Sequence, residues 1–276
     1  MIDDRGRLIH NREVAPQFFL ARFELPQISR YADPGQFVHL RIERSFDPFL
    51  RMPISVCRSD SRGGWIEILY EVVGPGTSVL SQMEEGAVLD FLGPLGRGYR
   101  LPRADRKAIL VAGGIGVAPL IFLSDRLREH SREILFLMGA TSMDRLLDEI
   151  LETVEGTVYV ATDDGSKGYP GPVTELLISR SSDMGDSEIF TCGPRPMMEE
   201  VARISKEFRV PCQVSLEEYM ACGHGACLGC VVEVRSTEGG GSVYKRICTE
   251  GPVFEADEVF YKDLKVDRSV GGHGRH

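Results

Sequence analysis

Three cysteines within nine residues, Cys222-x4-Cys227-x2-Cys230, constrain this chain more than any other feature, and Cys248 follows after seventeen intervening residues. The full set is Cys57, Cys192, Cys212, Cys222, Cys227, Cys230 and Cys248, an odd number. The start, Met1-Ile2-Asp3-Asp4-Arg5-Gly6-Arg7, is acidic where a secretory signal would be apolar, so a disulfide framework is not expected. The cluster of cysteines asks instead for a metal or redox centre. A nine-residue loop must turn three sulfurs toward one point, and Gly223, Gly225 and Gly229 permit the tight backbone this requires. The spacing is that of a plant-type 2Fe–2S cluster, whose potential is tuned by N–H groups aimed at its sulfurs. A structural zinc ion would use the same four thiolates, although zinc motifs favour paired C-x2-4-C units. His224 would be a ligand only in a Rieske-like site. With four thiolates available it reads as an exposed loop residue. Cys57 and Cys212 read as core thiols.

A chain of 276 residues is long for one core, and its patterning changes twice. Up to about residue 100, short apolar runs at Phe18–Phe23, Phe37–Ile42, Trp65–Val73 and Val88–Leu92 are divided by Gly and Pro. This predicts a small antiparallel barrel. From Lys107 the rhythm alternates. Strand-like runs at Ala108–Ala112, Ile134–Met138, Val158–Ala161 and Glu188–Thr191 are interleaved with helical patterns at Ala118–His130, Met143–Val154 and Pro196–Phe208. This predicts a parallel sheet wound with helices. Past Pro211 a Gly- and Cys-rich loop leads to strand-like Val231–Val234 and Val243–Ile247, with a turn at Glu238–Ser242. The expected division is 1–102, 103–210, a small lobe at 211–265, and a disordered tail at 266–276. With 32 basic and 41 acidic side chains, the net charge of −9 argues against nucleic acid or an anionic membrane as the main partner, since both need a basic face. It has no apolar run long enough to span a bilayer, and it reads as cytoplasmic.

A second motif is Val111-Ala112-Gly113-Gly114-Ile115-Gly116-Val117-Ala118-Pro119-Leu120, between a buried strand and a helix. Glycines there let a pyrophosphate approach the backbone at the helix N-terminus. Pro119 replaces the last glycine of the full G-x-G-x-x-G pattern, so the turn alone is equally readable as structural. Asp163-Asp164-Gly165-Ser166 reads either as a nucleotide contact or as a turn.

Together with Thr191-Cys192-Gly193-Pro194-Arg195-Pro196-Met197-Met198, the glycine motif resembles the two nucleotide signatures of the ferredoxin–NADP reductase superfamily. Arg51-Met52-Pro53-Ile54-Ser55 and Gly76-Thr77 look like its flavin motifs. The segment from Ser215 to Cys230, with Cys248-Thr249-Glu250-Gly251-Pro252-Val253-Phe254, is similar to the electron-transfer subunits of type B dihydroorotate dehydrogenase. The resemblance covers nearly the whole chain, with the motifs in matching order.

The resemblance implies an FAD-binding barrel, an NAD-binding α/β domain and a 2Fe–2S lobe. Arg51, Met52, Pro53, Ile54 and Ser55 would line FAD, with Ser55 near the isoalloxazine. Leu69, Tyr70 and Glu71 would flank it, and Gly76 and Thr77 would offer N–H groups to its diphosphate. Gly113, Gly114, Gly116, Gly193 and Pro194 would hold NAD, and Cys192 would sit near the nicotinamide. Its alternative is a buried thiol at a strand end. Cys222, Cys227, Cys230 and Cys248 would hold the cluster. Two residues depart from the family pattern: Met52 stands where a second Arg is common, and Glu71 where a base is frequent. Arg51 is then the one cation expected near the flavin phosphates, or a surface barrel residue. Ser142 and Arg145 could receive a 2′-phosphate, but Asp144 beside them would repel it, so NAD is expected over NADP. The implied activity is a relay in pyrimidine biosynthesis. Electrons leave dihydroorotate in an FMN-containing catalytic subunit and pass through the cluster and FAD here to NAD, in a heterotetramer. The alternative is a relay subunit of a sulfide dehydrogenase or of an NADH-dependent ferredoxin:NADP transhydrogenase. From another class, a zinc-stabilised binding module remains, and it would be colourless.

Overall fold

The structure, a computed structural model, describes residues 1–42, 49–103, 105–130, 132–236 and 241–259. The expected tail at 266–276 and most of the 238–242 turn lie outside the described residues.

Six strands form a closed antiparallel barrel: β1 (Ile2–Ala15), β2 (Phe18–Glu24), β3 (Phe37–Arg41), β4 (Met52–Asp60), β5 (Trp65–Glu71) and β6 (Val88–Leu95). Their order is β1-β2-β5-β4-β3-β6, closed by β1 pairing with β6 from Ile2 opposite Gly93 to Arg7 opposite Val88. Alternate residues point inward, and Phe23, Val38, Leu40, Val56, Ile66, Ile68 and Phe91 fill the interior. Phe23 and Phe91 meet edge to face at 4.8 Å, a pairing that adds about 0.5–1.5 kcal/mol beyond burial.

The apolar runs locate four of the six strands, and β1 and β4 carry no such signal. In β1 an inward position is Gly6, where a Cβ would lie 2.8 Å from both Leu25 and Phe91, so the alternation lacks a side chain where it would show. In β4 the run is interrupted by Pro53 and Arg58.

The second layer is a seven-stranded sheet, ordered β10-β9-β8-β7-β11-β12-β15. It contains β7 (Lys107–Gly113), β8 (Ile134–Ala140), β9 (Thr157–Thr162), β10 (Tyr169–Pro170), β11 (Ser187–Cys192) and β12 (Cys212–Ser215). All pair in parallel, and a final antiparallel strand, β15 (Val253–Glu255), adds to β12. Between these two come β13 (Val231–Arg235) and β14 (Ser242–Arg246), a separate antiparallel hairpin. Helices Val117–Glu129 and Arg195–Phe208 fall where the periodicity places them.

The stretch Met143–Val154, expected as one helix, is not. It forms a 3-10 turn at Met143–Arg145 and one helical turn at Asp148–Leu151. Leu146 between them takes an extended backbone, ψ 138°, and both Leu146 and Leu147 are buried. Side-chain burial overrides helical propensity at this point. A helix at Val173–Ser179 had no signal beyond Pro172 before it.

Tertiary packing joins the layers. Phe37 and Leu95 of the barrel share one core with Leu216, Met220, Cys230, Ile247, Cys248 and Phe254. Barrel and sheet are also pinned by ion pairs, Arg58 to Asp125 at 3.0 Å and Arg145 to Glu71.

Candidate functional site

The loop 222–230 leaves the sheet after β12 and carries no regular secondary structure. Gly223 and Gly225 take φ of +70° and +90°, a left-handed backbone open to glycine, and together they fold the loop back on itself. The N–H of Cys227 then points at the Cys222 sulfur at 3.4 Å, and that of Gly229 at the Cys227 sulfur at 3.4 Å. Cys248 comes from beneath, on the helical turn Ile247–Glu250, tied to the loop because Ile247 N–H donates to the Cys230 carbonyl at 2.9 Å. Cys230 and Cys248 are buried in contact, Cys222 is half-buried and Cys227 exposed. Burial works against a charge at Cys222, yet the N–H groups of His224, Cys227 and Ala226 prevail and bring its thiol down to about 6. Burial, then the neighbouring Cys230, pushes Cys248 up to about 12. Two loop N–H groups thus point at cysteine sulfurs, the kind of donor that stabilises thiolate in a 2Fe–2S site, but among the described residues no three of the cysteines are gathered closely enough to hold a metal ion. His224 stays at the surface, its Nδ1 2.7 Å from the Cys222 carbonyl.

The flavin motif lies on β4 and its neighbours. Ser55 is half-buried opposite Phe37 of β3, and Ile54 faces the barrel core. Pro53 is exposed opposite His39. Arg51 donates to the carbonyls of Asp90 (3.0 Å) and His39 (3.4 Å), so its guanidinium is tied to the barrel backbone. Met52 packs its sulfur against Gly76, where a Cβ would collide with it. Thr77 closes the 73–77 turn, its hydroxyl accepting from Val73 and Gly74 N–H at 3.0 and 3.2 Å. The first-turn N–H groups of helix Pro75–Ser81 therefore project beside Met52. Leu69 is buried in the core between barrel and sheet, and Tyr70 within the barrel, its hydroxyl donating to Asn11 at 2.9 Å. Glu71 is half-buried and paired with Arg145.

The nucleotide motifs meet at the C-terminal ends of β7 and β11, where the strand order reverses direction. Such a switch point leaves a crevice in an open parallel sheet. Two glycines allow the loops to touch. A Cβ on Gly116 would strike the Cys192 carbonyl and the Gly193 nitrogen, and one on Gly113 would lie 2.6 Å from Met197 and 2.9 Å from Pro194. Gly114, at φ +54°, has open space before it. A cleft of about 440 Å³ opens there, lined by Gly113, Gly114, Pro194 and Met197, by Asp163 and Thr174, and by Phe18 and Glu71 of the barrel. Cys192 is buried. Burial above all, then the Glu217 carboxylate, holds its thiol well above the ordinary range.

Two contributions were not legible beforehand. Arg145 is bound to Glu71 and lies 4.5 Å over the Phe18 ring, bridging barrel and cleft rather than awaiting a phosphate. His39 is fully buried under the cluster loop. The sequence offers Arg145 only as a receiver of a 2′-phosphate and gives His39 no role, because long-range contacts of this kind leave no local pattern.

Comparisons with known proteins match two parts of the chain to described domains and nearly the whole of it to named relatives. A family profile described as the iron–sulfur cluster binding domain of dihydroorotate dehydrogenase B matches residues 217–260, and one described as an oxidoreductase NAD-binding domain matches 110–203. The chain is 41% identical over 250 residues to the dihydroorotate dehydrogenase B (NAD(+)) electron transfer subunit of Desulforamulus reducens, covering 90% of this chain and 95% of that protein. Its counterpart from Geobacillus kaustophilus is 40% identical over 234 residues, covering 84% and 88%. Among solved structures, the NADH-dependent reduced ferredoxin-NADP oxidoreductase superposes with a TM-score of 0.82 at 30% identity, covering 94% of this chain and 91% of that one. A ferredoxin NADP+ reductase from Neisseria gonorrhoeae with bound FAD and NADP shares the fold, with a TM-score of 0.62 at 15% identity, covering 75% and 91%.

Proposed function

This chain belongs to the electron-transfer subunits of dihydroorotate dehydrogenase B, and from that membership we propose that it takes electrons from a dihydroorotate-oxidising, FMN-containing subunit and delivers them to NAD. The observation that carries the reading is the cluster loop: N–H groups of Cys227 and Gly229 point at the Cys222 and Cys227 sulfurs, while Cys230 and Cys248 share a core with Phe37 and Leu95 of the barrel whose β4 bears the flavin motif. FAD, when bound, exchanges electron pairs with the nicotinamide and single electrons with the cluster. The protein's part is placement. Cys222, Cys227, Cys230 and Cys248 hold the cluster, and loop N–H groups stabilise its sulfurs. The strand 51–55 and the 74–77 turn hold the flavin, and Gly113, Gly114 and Gly116 admit the nucleotide backbone to the cleft. Buried Cys192 stays a neutral thiol at the nicotinamide end. The solved transhydrogenase-type relative has the same architecture, but at 30% identity it is more distant than the dihydroorotate dehydrogenase relatives at 40% and 41%.

We further assign a cytoplasmic heterotetramer with the catalytic subunit. On the cluster loop, the segment before it and the hairpin after it, Tyr219, Leu228, Val231, Val243 and Tyr244 are solvent-exposed apolar side chains. Such a surface suits a stable interface. No described helix is long and apolar enough to cross a membrane.

Reconstitution with the catalytic subunit tests the reading. The complex should reduce NAD at the expense of dihydroorotate. Leu228→Glu should keep flavin, iron and NADH-dependent dye reduction while weakening assembly by about tenfold or more, the scale of an interface anchor. A variant that assembles and turns over like wild type places the interface elsewhere, and a wild-type complex inert toward dihydroorotate removes the assignment.

A further inference from the structure

Two side chains with buried polar atoms, His39 and Thr249, have no hydrogen-bond partner among the described residues, and His39 lies between the cluster loop and the flavin strand. Along β3, Val38 and Leu40 point into the barrel, which leaves Phe37 and His39 on its outer face. An outward histidine would ordinarily meet water. Here the cluster loop lies over it, and His39 is 0% exposed. Gly223, the residue after Cys222, presses its backbone on the ring: a Cβ there would sit 2.5 Å from Nδ1 and 2.9 Å from Cε1. On the other side His39 faces Pro53 across the β3–β4 ladder, and Arg51 donates to the His39 carbonyl. The ring thus wedges between the flavin strand and the first cluster ligand.

Among the described residues, neither Nδ1 nor Nε2 closes a hydrogen bond of good geometry, although the backbone carbonyls of Arg51 and Cys222 lie close enough to act on the ring. An unmade hydrogen bond at a buried group costs about 1–3 kcal/mol, and buried polar atoms are paired in the great majority of cases. The partner is therefore to be sought in what the site binds. A neutral imidazole has one N–H to donate, and thiolate and sulfide sulfurs on the Cys222 side are the acceptors that a bound cluster would bring. The other histidine nearby does not compete, because His224 is exposed and its Nδ1 is engaged with the Cys222 carbonyl.

We propose that His39 is a positioning residue for the 2Fe–2S cluster, donating its ring N–H to a sulfur on the Cys222 side and fixing the cluster loop to the flavin-binding strand. This rests on the assignment of FAD and 2Fe–2S to the chain, which the iron, sulfide and flavin content of the wild-type protein checks separately. A hydrogen bond to a cluster sulfur stabilises the more negative, reduced cluster and raises its potential. Its removal shifts the potential downward.

The experiment compares His39→Leu and His39→Gln in the full chain with both cofactors bound. Dye-mediated redox titration of the cluster should show His39→Leu about tenfold harder to reduce, a shift of ~59 mV for one electron. Its reduced-state EPR g-values should change, and the flavin potential should hold. Gln, which keeps an N–H, should recover part of the shift. Pulsed EPR on protein with 15N-labelled histidine, in a His224→Gln background, should show nitrogen coupling to the reduced cluster. That measurement also decides the question if His39→Leu loses its cluster. Wild-type potential and g-values in His39→Leu, a shift confined to the flavin, or no 15N coupling would each overturn the proposal.

Discussion

The nucleotide cleft and the cluster loop are both made of glycines, and the glycines serve opposite ends. At the cleft, Gly113 and Gly116 remove side chains so that two loops at the ends of β7 and β11 can touch. The parallel sheet beneath supplies the geometry, and Ala108 to Ala112 are fully buried in it. In the cluster loop, Gly223 and Gly225 supply positive φ, and Leu228 adopts φ +57°, a conformation that costs a side-chain-bearing residue about 1–2 kcal/mol. No strand or helix runs through that loop. One site is shaped by the packing beneath it, the other by its own left-handed turns and sulfur-directed N–H groups. Damage to each should therefore read out differently.

The largest effect falls on the site that depends on its ligand. Cys227→Ser should abolish the 2Fe–2S spectrum and release iron and acid-labile sulfide, because the loop has no other means of gathering its sulfurs. Most FAD should remain, since the barrel core does not include the loop. Iron and labile sulfide at wild-type levels in this variant would show that Cys227 is not a ligand.

The cleft should fail by collision instead. In Gly116→Ala the new methyl meets the Cys192 carbonyl and the Gly193 nitrogen, backbone that cannot swing aside. Overpacking of this kind costs about 1–3 kcal/mol. The Michaelis constant for NADH in dye reduction should rise about tenfold, with the cluster spectrum unchanged. An unaltered Michaelis constant would mean that the two loops do not form the nucleotide site together.

The same contrast governs what the sequence discloses. The cysteine spacing and the glycine turn are local and could be read directly. The barrel was visible in the apolar run Phe18–Phe23 and in the alternation of Val88–Leu92, which buries Leu89 and Phe91, while β1 hid its pattern behind Gly6. The helix expected at Met143–Val154 shows the limit from the other side: the periodicity is there, but burying Leu146 and Leu147 together breaks it. Arg145 and His39 lay beyond reach because their roles depend on strands and loops more than seventy residues away in sequence.

Arg145 offers a milder test, of the join between the two sites rather than of either one. It pairs with Glu71 and lies over Phe18, both from the barrel end. Arg145→Ala removes a partly buried ion pair and a cation–π contact, together about 1–2 kcal/mol. The melting temperature should fall by about 2–6 °C, with both cofactor spectra retained. A melting temperature equal to wild type would show that the bridge adds nothing to the docking of barrel and sheet.

The smallest expected effect is on the choice of nucleotide. The cleft is lined by three carboxylates, Glu71, Asp163 and Glu200, against one cation, Arg145, and Glu71 already engages that cation. Glu200 is held ionised by the Arg203 guanidinium, which donates to it at 2.7 and 2.9 Å and keeps its carboxyl below the usual range. A dianionic 2′-phosphate entering this cleft meets net negative charge, while the uncharged 2′-hydroxyl of NADH can donate to the same carboxylates. NADH should therefore reduce the flavin more efficiently than NADPH. Because Asp163 is exposed, water and salt screen it, so its share of the discrimination is small. Asp163→Ser should raise kcat/KM for NADPH by about two- to fivefold at low ionic strength and leave NADH nearly untouched. The gain should fade as salt is added, because screening already does in wild type what the substitution does. A gain that persists undiminished in high salt would place a direct contact to the phosphate at residue 163, and no gain at low salt would remove Asp163 from the discrimination and leave it to Glu71 and Glu200.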